Sequence, residues 1–354
     1  MKKLAIVAFN MGGPDGPDAV EPFLFNLFWD PAIIGAPTPI RWVLAKLISR
    51  RRAPVAREIY EHLGGGSPLV GLTWKQVHAL ESVLGERLAD VAIQGFVCMR
   101  YWHPMSAETV RAVKAYGPDE IVLLPLYPQY STTTSESSLK DWDRAAKAAG
   151  LDVPTRRICC YPTHPGFVEG QVRLLTAALE EARASGAPVR VLFSAHGLPK
   201  RIVDKKGDPY PWQVEQGAAA IAERMQQTGN RLDDWLVSYQ SRVGPLEWIG
   251  PSTEDEIARA GRDGKALVVL PVAFVSEHSE TLVELDIEYK ALAQDAGCKA
   301  YVRVPALGIE DAFIDALADM VAQVRAGGCD TSAQGGCDRL CPADKRGCPR
   351  HQLG

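Results

Sequence analysis

The sequence lacks several features that mark common classes of protein. No apolar segment is long enough to cross a bilayer, which takes about 20 residues. The formal net charge of -4 is not the basic excess that usually accompanies nucleic-acid binding. Lysines precede an apolar run at the start, but the run stops at Asn10 and no small-residue cleavage site follows. We therefore expect residues 4–9 to form a buried strand, and we expect a cytoplasmic protein with no nucleic-acid partner.

Short apolar runs alternate with longer amphipathic stretches along most of the chain. Several runs are continuously apolar, which is typical of parallel strands covered on both faces. The alternation predicts an α/β fold with parallel sheets. The runs form two sets of four, which suggests two similar halves with four-stranded sheets: residues 4–9, 91–97, 120–127, 157–161, 190–194, 235–239, 266–275 and 300–304. We predict domains over residues 1–160 and 161–325, followed by a cysteine-rich tail over residues 326–354.

His196 follows the predicted strand at residues 190–194, in a turn that contains glycine and proline. Ligands of parallel α/β proteins bind at the carboxyl ends of the strands. An imidazole at such a position can accept a proton near neutral pH or bind a metal. On position alone, a turn histidine bonded to nearby backbone is an equally good interpretation.

An acidic segment follows the apolar run at residues 266–275. If a helix starts at Glu277, then Glu277, Glu280, Glu284 and Glu288 share one face, because they lie at i, i+3, i+7 and i+11. The preference of acidic residues for helix N-termini explains the first two only. Carboxylate and imidazole ligands suit a divalent metal that must be released again. Together with His196, the stripe predicts a transient metal site that also accepts protons.

Residues 23–52 are rich in aromatic and aliphatic side chains and end in the cluster Arg50-Arg51-Arg52. Part of this segment is expected in the core. The rest predicts an exposed lip that faces an apolar substrate or an anionic membrane. On the second interpretation the protein associates peripherally with the inner face of the membrane.

The chain has eight cysteines, and without a signal peptide they argue against a disulfide framework and for metal binding or catalysis. Four lie in the tail: Cys329, Cys337, Cys341 and Cys348. Four thiols suit zinc or an iron–sulfur cluster. Their spacing matches neither a zinc ribbon nor a ferredoxin run, so spacing alone leaves the metal open.

Seven segments resemble those of the ferrochelatases, in the family's order and over nearly the whole chain. They are residues 10–14 (NMGGP), 64–68 (GGGSP), 100–104 (RYWHP), 128–131 (PQYS), 194–199 (SAHGLP), 238–245 with Trp248 (SYQSRVGP) and 277–286 (EHSETLVELD). Each is short, but seven in this order are highly specific. The resemblance implies two similar Rossmann-like domains of the chelatase type, with a porphyrin cleft between them.

The resemblance also implies roles for individual residues. His196 and Glu280 would be the central catalytic pair, and Glu284 and Glu277 would extend an acidic path for iron. The porphyrin would be bound by Met11, Tyr60, Arg100, Tyr101, Tyr130, Trp248 and His278.

Some ferrochelatases carry a C-terminal [2Fe-2S] cluster, and this tail resembles their extension. Cys329, Cys337, Cys341 and Cys348 would then be the ligands. The animal enzymes take one ligand from just after the Pro-Gln-Tyr-Ser segment, where this chain has Thr132. Cys159 or Cys160 therefore stays open as a replacement for one tail cysteine.

The implied activity is insertion of Fe²⁺ into protoporphyrin IX with release of two protons, the last step in making protoheme. Three alternatives stay open: a chelatase for coproporphyrin III or a cobalt–corrin precursor, a non-catalytic heme-binding protein, and a redox sensor built on the tail. An acidic stripe favours metal in transit over a stably bound ligand. The chain would act as a monomer or homodimer.

Overall fold

A computed structural model describes residues 1–350 apart from 243, 245 and 328. Its strands are β1 (Lys2–Asn10), β2 (Val91–Met99), β3 (Glu120–Pro125), β4 (Thr155–Cys160), β5 (Val189–His196), β6 (Trp235–Gln240), β7 (Ala266–Pro271), β8 (Ala300–Arg303) and β9 (Thr331–Ala333). Its α-helices are α1 (Val20–Trp29), α2 (Thr38–Glu61), α3 (Leu69–Arg87), α4 (Ser106–Tyr116), α5 (Ser135–Ala149), α6 (Pro165–Arg183), α7 (Lys200–Lys206), α8 (Tyr210–Gln227), α9 (Thr253–Arg262), α10 (Lys290–Asp295) and α11 (Asp311–Ala326). A 3-10 turn covers Pro17–Ala19 and a π-helix covers Glu280–Tyr289.

The chain divides into two compact units. The first consists of Met1–Cys160 and Leu317–Asp338, and the second consists of Tyr161–Ala316 and the tail from Arg339 onward. Each unit contains one parallel sheet, so the predicted α/β fold with parallel sheets is confirmed.

The sheet of the first unit has the strand order β2-β1-β3-β4-β9, and every pair is parallel. The central strands β1 and β3 are buried apart from their first residues, because helices cover both faces as in other parallel sheets. Phe9 of β1 meets Trp142 of α5 edge to face at 5.9 Å in the core on one side. The C-terminal ends of β1 and β2 carry Asn10 and Arg100 to one edge of this sheet.

The fifth strand corrects the prediction of a four-stranded sheet. It comes from residues 326–354, which the sequence predicts as a tail outside both domains. β9 pairs with β4, and the backbone N–H of Gln334 donates to the carbonyl of Cys160 at 2.8 Å. Ser332 and Ala333 are buried there. Three residues with small side chains suffice, because backbone hydrogen bonds rather than apolar area attach an edge strand.

The sheet of the second unit has the predicted four strands, in the order β6-β5-β7-β8. β5 lies between β6 and β7, and His196 at its end is level with Gln240 at the end of β6. Leu285 and Tyr289 of the π-helix pack against Leu192 and Leu267 of the sheet. The helix that carries the acidic residues is therefore fixed to the core by its apolar face.

The segment predicted to form a lip is divided between core and surface. Phe23 and Leu24 of α1 are buried. α2 instead exposes a ridge of large apolar side chains: Ile40, Trp42, Val43, Leu44, Leu47 and Val55. Arg50, Arg51 and Arg52 on the same helix are exposed as well. No helix in the described part of the chain combines the length and apolar character needed to cross a bilayer.

The tail cysteines lie in two pairs. Cys329 and Cys337 form a disulfide in the first unit, which corrects the expectation that no disulfide is present. In the second unit Cys341 and Cys348 are buried and hydrogen-bonded to each other, and Gln213 donates to the sulfur of Cys341 at 3.1 Å.

Candidate active site

His196 and Glu280 meet at the C-terminal edge of the second sheet. The imidazole Nδ1 lies 3.0 Å from a carboxylate oxygen of Glu280. β5 brings His196 to this edge, and the π-helix that follows β7 brings Glu280. The side chains are 37% and 25% exposed, so the pair is held by the protein while one side stays accessible to a ligand.

The two groups shift each other's protonation in opposite directions. Burial on its own lowers the pKa of His196, but the charge and hydrogen bond of Glu280 outweigh it and raise that pKa. Burial on its own raises the pKa of Glu280, but the charge and hydrogen bond of His196 hold it below its ordinary range. The pair therefore favours an imidazolium next to a carboxylate.

Glu284 lies in a cradle of hydrogen-bond donors one turn along the π-helix. Its carboxylate accepts bonds from the Gln240 side chain at 3.0 Å, from the Ser241 backbone N–H at 2.8 Å and from the Ser241 hydroxyl at 2.5 Å. The Tyr289 hydroxyl donates a fourth bond at 3.0 Å. Burial and the nearby charge of Glu280 nevertheless raise the pKa of Glu284.

The orientation of the Gln240 amide in this cradle is fixed by a further hydrogen bond. The Ser194 hydroxyl donates to the Gln240 amide oxygen at 2.7 Å, so the amide nitrogen must point toward Glu284. Ser241 has a φ of 61°, a left-handed conformation that is uncommon for a serine. Both its N–H and its hydroxyl reach the same carboxylate in this conformation.

Adjacent carboxylates with opposite pKa shifts are a familiar basis for dividing proton-transfer roles. Glu280 stays charged, and Glu284 takes up a proton more readily. The arrangement can accept protons from a bound ligand and hand them on.

The helix itself differs from the prediction. It begins at Glu280 rather than at Glu277, and it is a π-helix, a rare form that is frequent at functional sites. The predicted stripe of four carboxylates is therefore wrong. Glu288 is exposed, and Glu277 lies in the preceding loop.

Glu277 is engaged elsewhere. Its carboxylate accepts bonds from Arg303 at 2.6 Å and from the backbone N–H of Ala306 at 2.9 Å. Burial on its own raises the pKa of Glu277, but the charge of Arg303 and these donors lower it overall. Its partners are thus structural, and they do not include His196 or Glu280.

His278 supports the first turn of the π-helix. Its Nδ1 accepts the backbone N–H of Glu280 at 3.0 Å, and its ring meets Phe274 edge to face at 4.5 Å. Burial lowers the pKa of His278, which agrees with a neutral ring whose proton sits on Nε2.

Trp248 lies in the loop system that follows His196. An antiparallel bridge joins it to Pro199, and its ring would be 3.2 Å from a Cβ placed on Gly197. A side chain at position 197 would therefore press tightly against the indole, which would have to shift by a few tenths of an ångström. Its Nε1 is buried without a hydrogen-bond partner among the residues the structure describes.

The remaining predicted porphyrin-binding residues lie in the first unit. Met11, Tyr60 and Tyr101 share one apolar cluster. Arg100 follows β2 directly, and its guanidinium lies 5.0 Å from the centre of the Tyr101 ring. Tyr130 is buried in the loop after β3. The structure thus brings four of the five together, at the edge where β1 and β2 end.

Sequence reasoning missed several contributors. Gln240 and Ser241 lie in a recognised segment, but nothing in the residue types signals the left-handed serine. Tyr289 is five residues after Glu284, a spacing that places it near Glu284 only in a π-helix.

Among residues 1–350 apart from 243, 245 and 328, no three histidine, cysteine or acidic side chains converge in a way that could hold a metal ion. This applies to the His196 site and to the tail, where the cysteines are paired rather than gathered in fours.

An imidazole–carboxylate pair at the strand ends of a parallel α/β sheet is typical of proteins that transfer protons or bind metals at that edge. The ferrochelatase family model matches residues 3–325. The chain belongs to the ferrochelatase family.

Individual relatives agree with this assignment. A ferrochelatase of Phenylobacterium zucineum is 55% identical over 317 residues, which is 90% of each chain. One of Caulobacter vibrioides is 51% identical over 348 residues, which covers 98% of this chain and 97% of the relative. SirB from Bacillus subtilis with Fe³⁺ superposes with a TM-score of 0.51 at 12% identity, covering 91% of this chain and 95% of that one, and this likeness shows a shared fold.

Proposed function

We propose that this protein inserts Fe²⁺ into protoporphyrin IX and releases two protons. The observation that carries the proposal is the direct contact of His196 with Glu280 at a sheet edge, in a chain of the ferrochelatase family. Insertion requires a group that removes protons from the pyrrole nitrogens. An imidazole held by a carboxylate supplies one.

In the proposed reaction, neutral His196 takes a proton from the ring or ligates the incoming iron. Glu280 stabilises the imidazolium that forms, and Glu284 accepts protons from the pair. The family resemblance implies a place for Glu277 on the iron path, whereas its ion pair with Arg303 favours a supporting role.

Two sets of residues are proposed to bind the porphyrin. Met11, Tyr60, Arg100, Tyr101 and Tyr130 belong to the proposed domain over residues 1–160. Trp248 and His278 belong to the proposed domain over residues 161–325. Binding energy from these side chains can be used to bend the flat ring, which exposes the nitrogen lone pairs to iron.

The direct test is anaerobic incubation with Fe²⁺ and protoporphyrin IX, followed by the porphyrin absorbance. Conversion to the heme spectrum is expected. Parallel incubations with coproporphyrin III, and with Co²⁺ in place of iron, compare the related substrates. Tight porphyrin binding without any conversion would instead favour a heme-binding protein.

Peripheral membrane association is a finer proposal. It is supported by the α2 ridge, where Trp42 is 51% exposed and Leu47 is 60% exposed, beside Arg50, Arg51 and Arg52. Anionic lipid attracts such arginines at about 1 kcal/mol each, and salt weakens the attraction. Salt-sensitive sedimentation with anionic vesicles is expected, and the variant with Trp42→Ser and Leu47→Ser should lose it. Sedimentation that this variant retains would contradict the proposal.

A [2Fe-2S] cluster in the tail is a second finer proposal. The four tail cysteines and the resemblance to cluster-bearing extensions support it, whereas the Cys329–Cys337 disulfide does not. Iron and acid-labile sulfide should be measured on protein purified without oxygen. A cluster predicts two iron atoms and two sulfide ions per chain. Protein whose eight cysteines are accompanied by no sulfide would contradict the proposal.

A further inference from the structure

Asp30 is a buried carboxylate with four hydrogen-bond donors, directly after the end of α1. Its side chain is 2% exposed. One oxygen accepts the backbone N–H of Ala32 at 2.7 Å. The other accepts Arg100 Nη2 at 2.8 Å, the Tyr101 hydroxyl at 3.0 Å and the Ser137 hydroxyl. A single oxygen atom therefore joins two of the proposed porphyrin-binding residues.

The position is electrostatically unfavourable for a carboxylate. The C-terminal end of a helix carries partial negative charge, and burial removes the solvation of an ion. A neutral asparagine would satisfy the turn at Ala32 equally well. The charge of Asp30 is compensated by Arg100, so its presence is explained by that guanidinium rather than by the local turn.

Arg100 and Tyr101 are held from several sides at once. Arg100 Nε donates to Ser137 at 2.7 Å, and the Arg100 backbone N–H donates to the Asn10 carbonyl at 2.9 Å. The Asn26 amide donates to the Tyr101 carbonyl at 3.1 Å. Locking side chains by their neighbours in this way is how binding sites keep a productive geometry.

We propose that Asp30 is a positioning residue for porphyrin binding, whose carboxylate fixes the Arg100 guanidinium and, through the phenol hydroxyl, the Tyr101 side chain in the positions from which they act on the ring. The inference rests on the proposed function, in which Arg100 and Tyr101 bind the porphyrin. Asp30 itself is buried behind them and does not touch the substrate.

Asp30→Asn is the sharpest variant, because it keeps the shape and the turn while removing the charge. The KM for protoporphyrin and the Kd from porphyrin fluorescence should rise by roughly 10- to 100-fold, the scale on which orienting groups act. The kcat at saturating porphyrin should fall by a smaller factor than KM rises, since Arg100 and Tyr101 act first on binding of the ring and then on its distortion. Combining Asp30→Asn with Arg100→Lys should give less than the sum of the two effects.

Asp234→Asn is the matched control. Asp234 accepts bonds from Arg190 Nε at 3.0 and 3.1 Å, and it lies just before β6, at the opposite sheet end from His196. Its loss removes another arginine–aspartate pair and should lower stability without moving KM or Kd. A purely structural role for Asp30 would give the same result as this control.

The possible results distinguish the role of Asp30 from the role of Arg100. If folded Asp30→Asn leaves KM and Kd unchanged while Arg100→Lys raises them, the role of Asp30 is overturned and the porphyrin site stands. If neither substitution changes them, the assignment of Arg100 to the porphyrin fails. Should Asp30→Asn not fold, Ser137→Ala provides the test, because it removes a group bonded to both Asp30 and Arg100; unchanged KM in that variant overturns the proposal.

Discussion

The His196 site and the cysteine tail both consist of side chains that bind metals, yet the fold supports them differently. His196 ends a central strand, and Glu280 begins a helix whose apolar side is fixed in the core. The tail has one short strand and loops, and its cysteines bond to one another in pairs. The side chains of the His196 site are therefore held by a strand and a helix of the core, whereas the tail cysteines are held mainly by one another.

The largest effect is expected at the rigid site. His196→Ala and Glu280→Gln should each lower kcat for iron insertion by about a hundredfold or more, the scale of a lost acid–base group. Circular dichroism should be unchanged, because neither side chain belongs to a core cluster. Near-normal turnover in either variant would remove that residue from the mechanism.

A smaller effect is expected at the cradle around Glu284. Ser241→Ala removes one hydrogen bond to a charged group and should lower kcat by about tenfold, or about 1.4 kcal/mol. Tyr289→Phe removes another donor and should act in the same direction. If both variants keep full turnover, then Glu284 does not need to be held in place for the reaction.

The pH dependence of the site follows from the shifted groups. His196 accepts a proton only when neutral, so the acidic limb of kcat/KM should lie above the ordinary histidine pKa. Stability from the ion pair is fully present below the unfolded pKa of His196 and is lost as pH rises through its raised folded pKa.

The substitution Glu280→Gln removes the main group that raises the pKa of His196 and leaves the effect of burial, so this pKa should fall. NMR titration of the ring measures this directly, and an unmoved pKa would refute the coupling.

The smallest effect on turnover is expected in the tail. Cys337→Ser removes either the disulfide or a cluster ligand, and kcat should stay within about twofold. The free energy of unfolding should fall by about 2–3 kcal/mol, as for the loss of a short disulfide loop. A loss of turnover as large as that of His196→Ala would show that the tail controls the site. It would contradict the distinction drawn between the His196 site and the tail.

Much of the site could be predicted from the sequence. His196 and Glu280 each follow an apolar strand, and parallel strands end at a common edge, so their proximity follows from pattern alone. The fold class and the family follow from the same runs and from the seven segments. Met11, Tyr60 and Tyr101 gather for a similar reason, since two of them follow β1 and β2.

The rest depends on tertiary detail that residue types do not encode. The stripe of four carboxylates is wrong because the helix begins at Glu280, which leaves Glu277 in the preceding loop. Glu277 instead forms an ion pair with Arg303, a residue 26 positions later in the sequence. Asp30 is remote in sequence from Arg100, and its local pattern resembles an ordinary turn.

The pairing of β9 with β4 has a consequence for protein synthesis. A ribosome releases residues 1–160 first, and domains generally fold as they emerge. The outer edge of β4 nevertheless stays unpaired until residues 331–333 leave the ribosome, after residues 161–316 of the second unit have been made. An open strand edge is prone to pair with other chains. The nascent chain therefore carries an open strand edge while residues 161–330 are made, and pairing with β9 closes that edge.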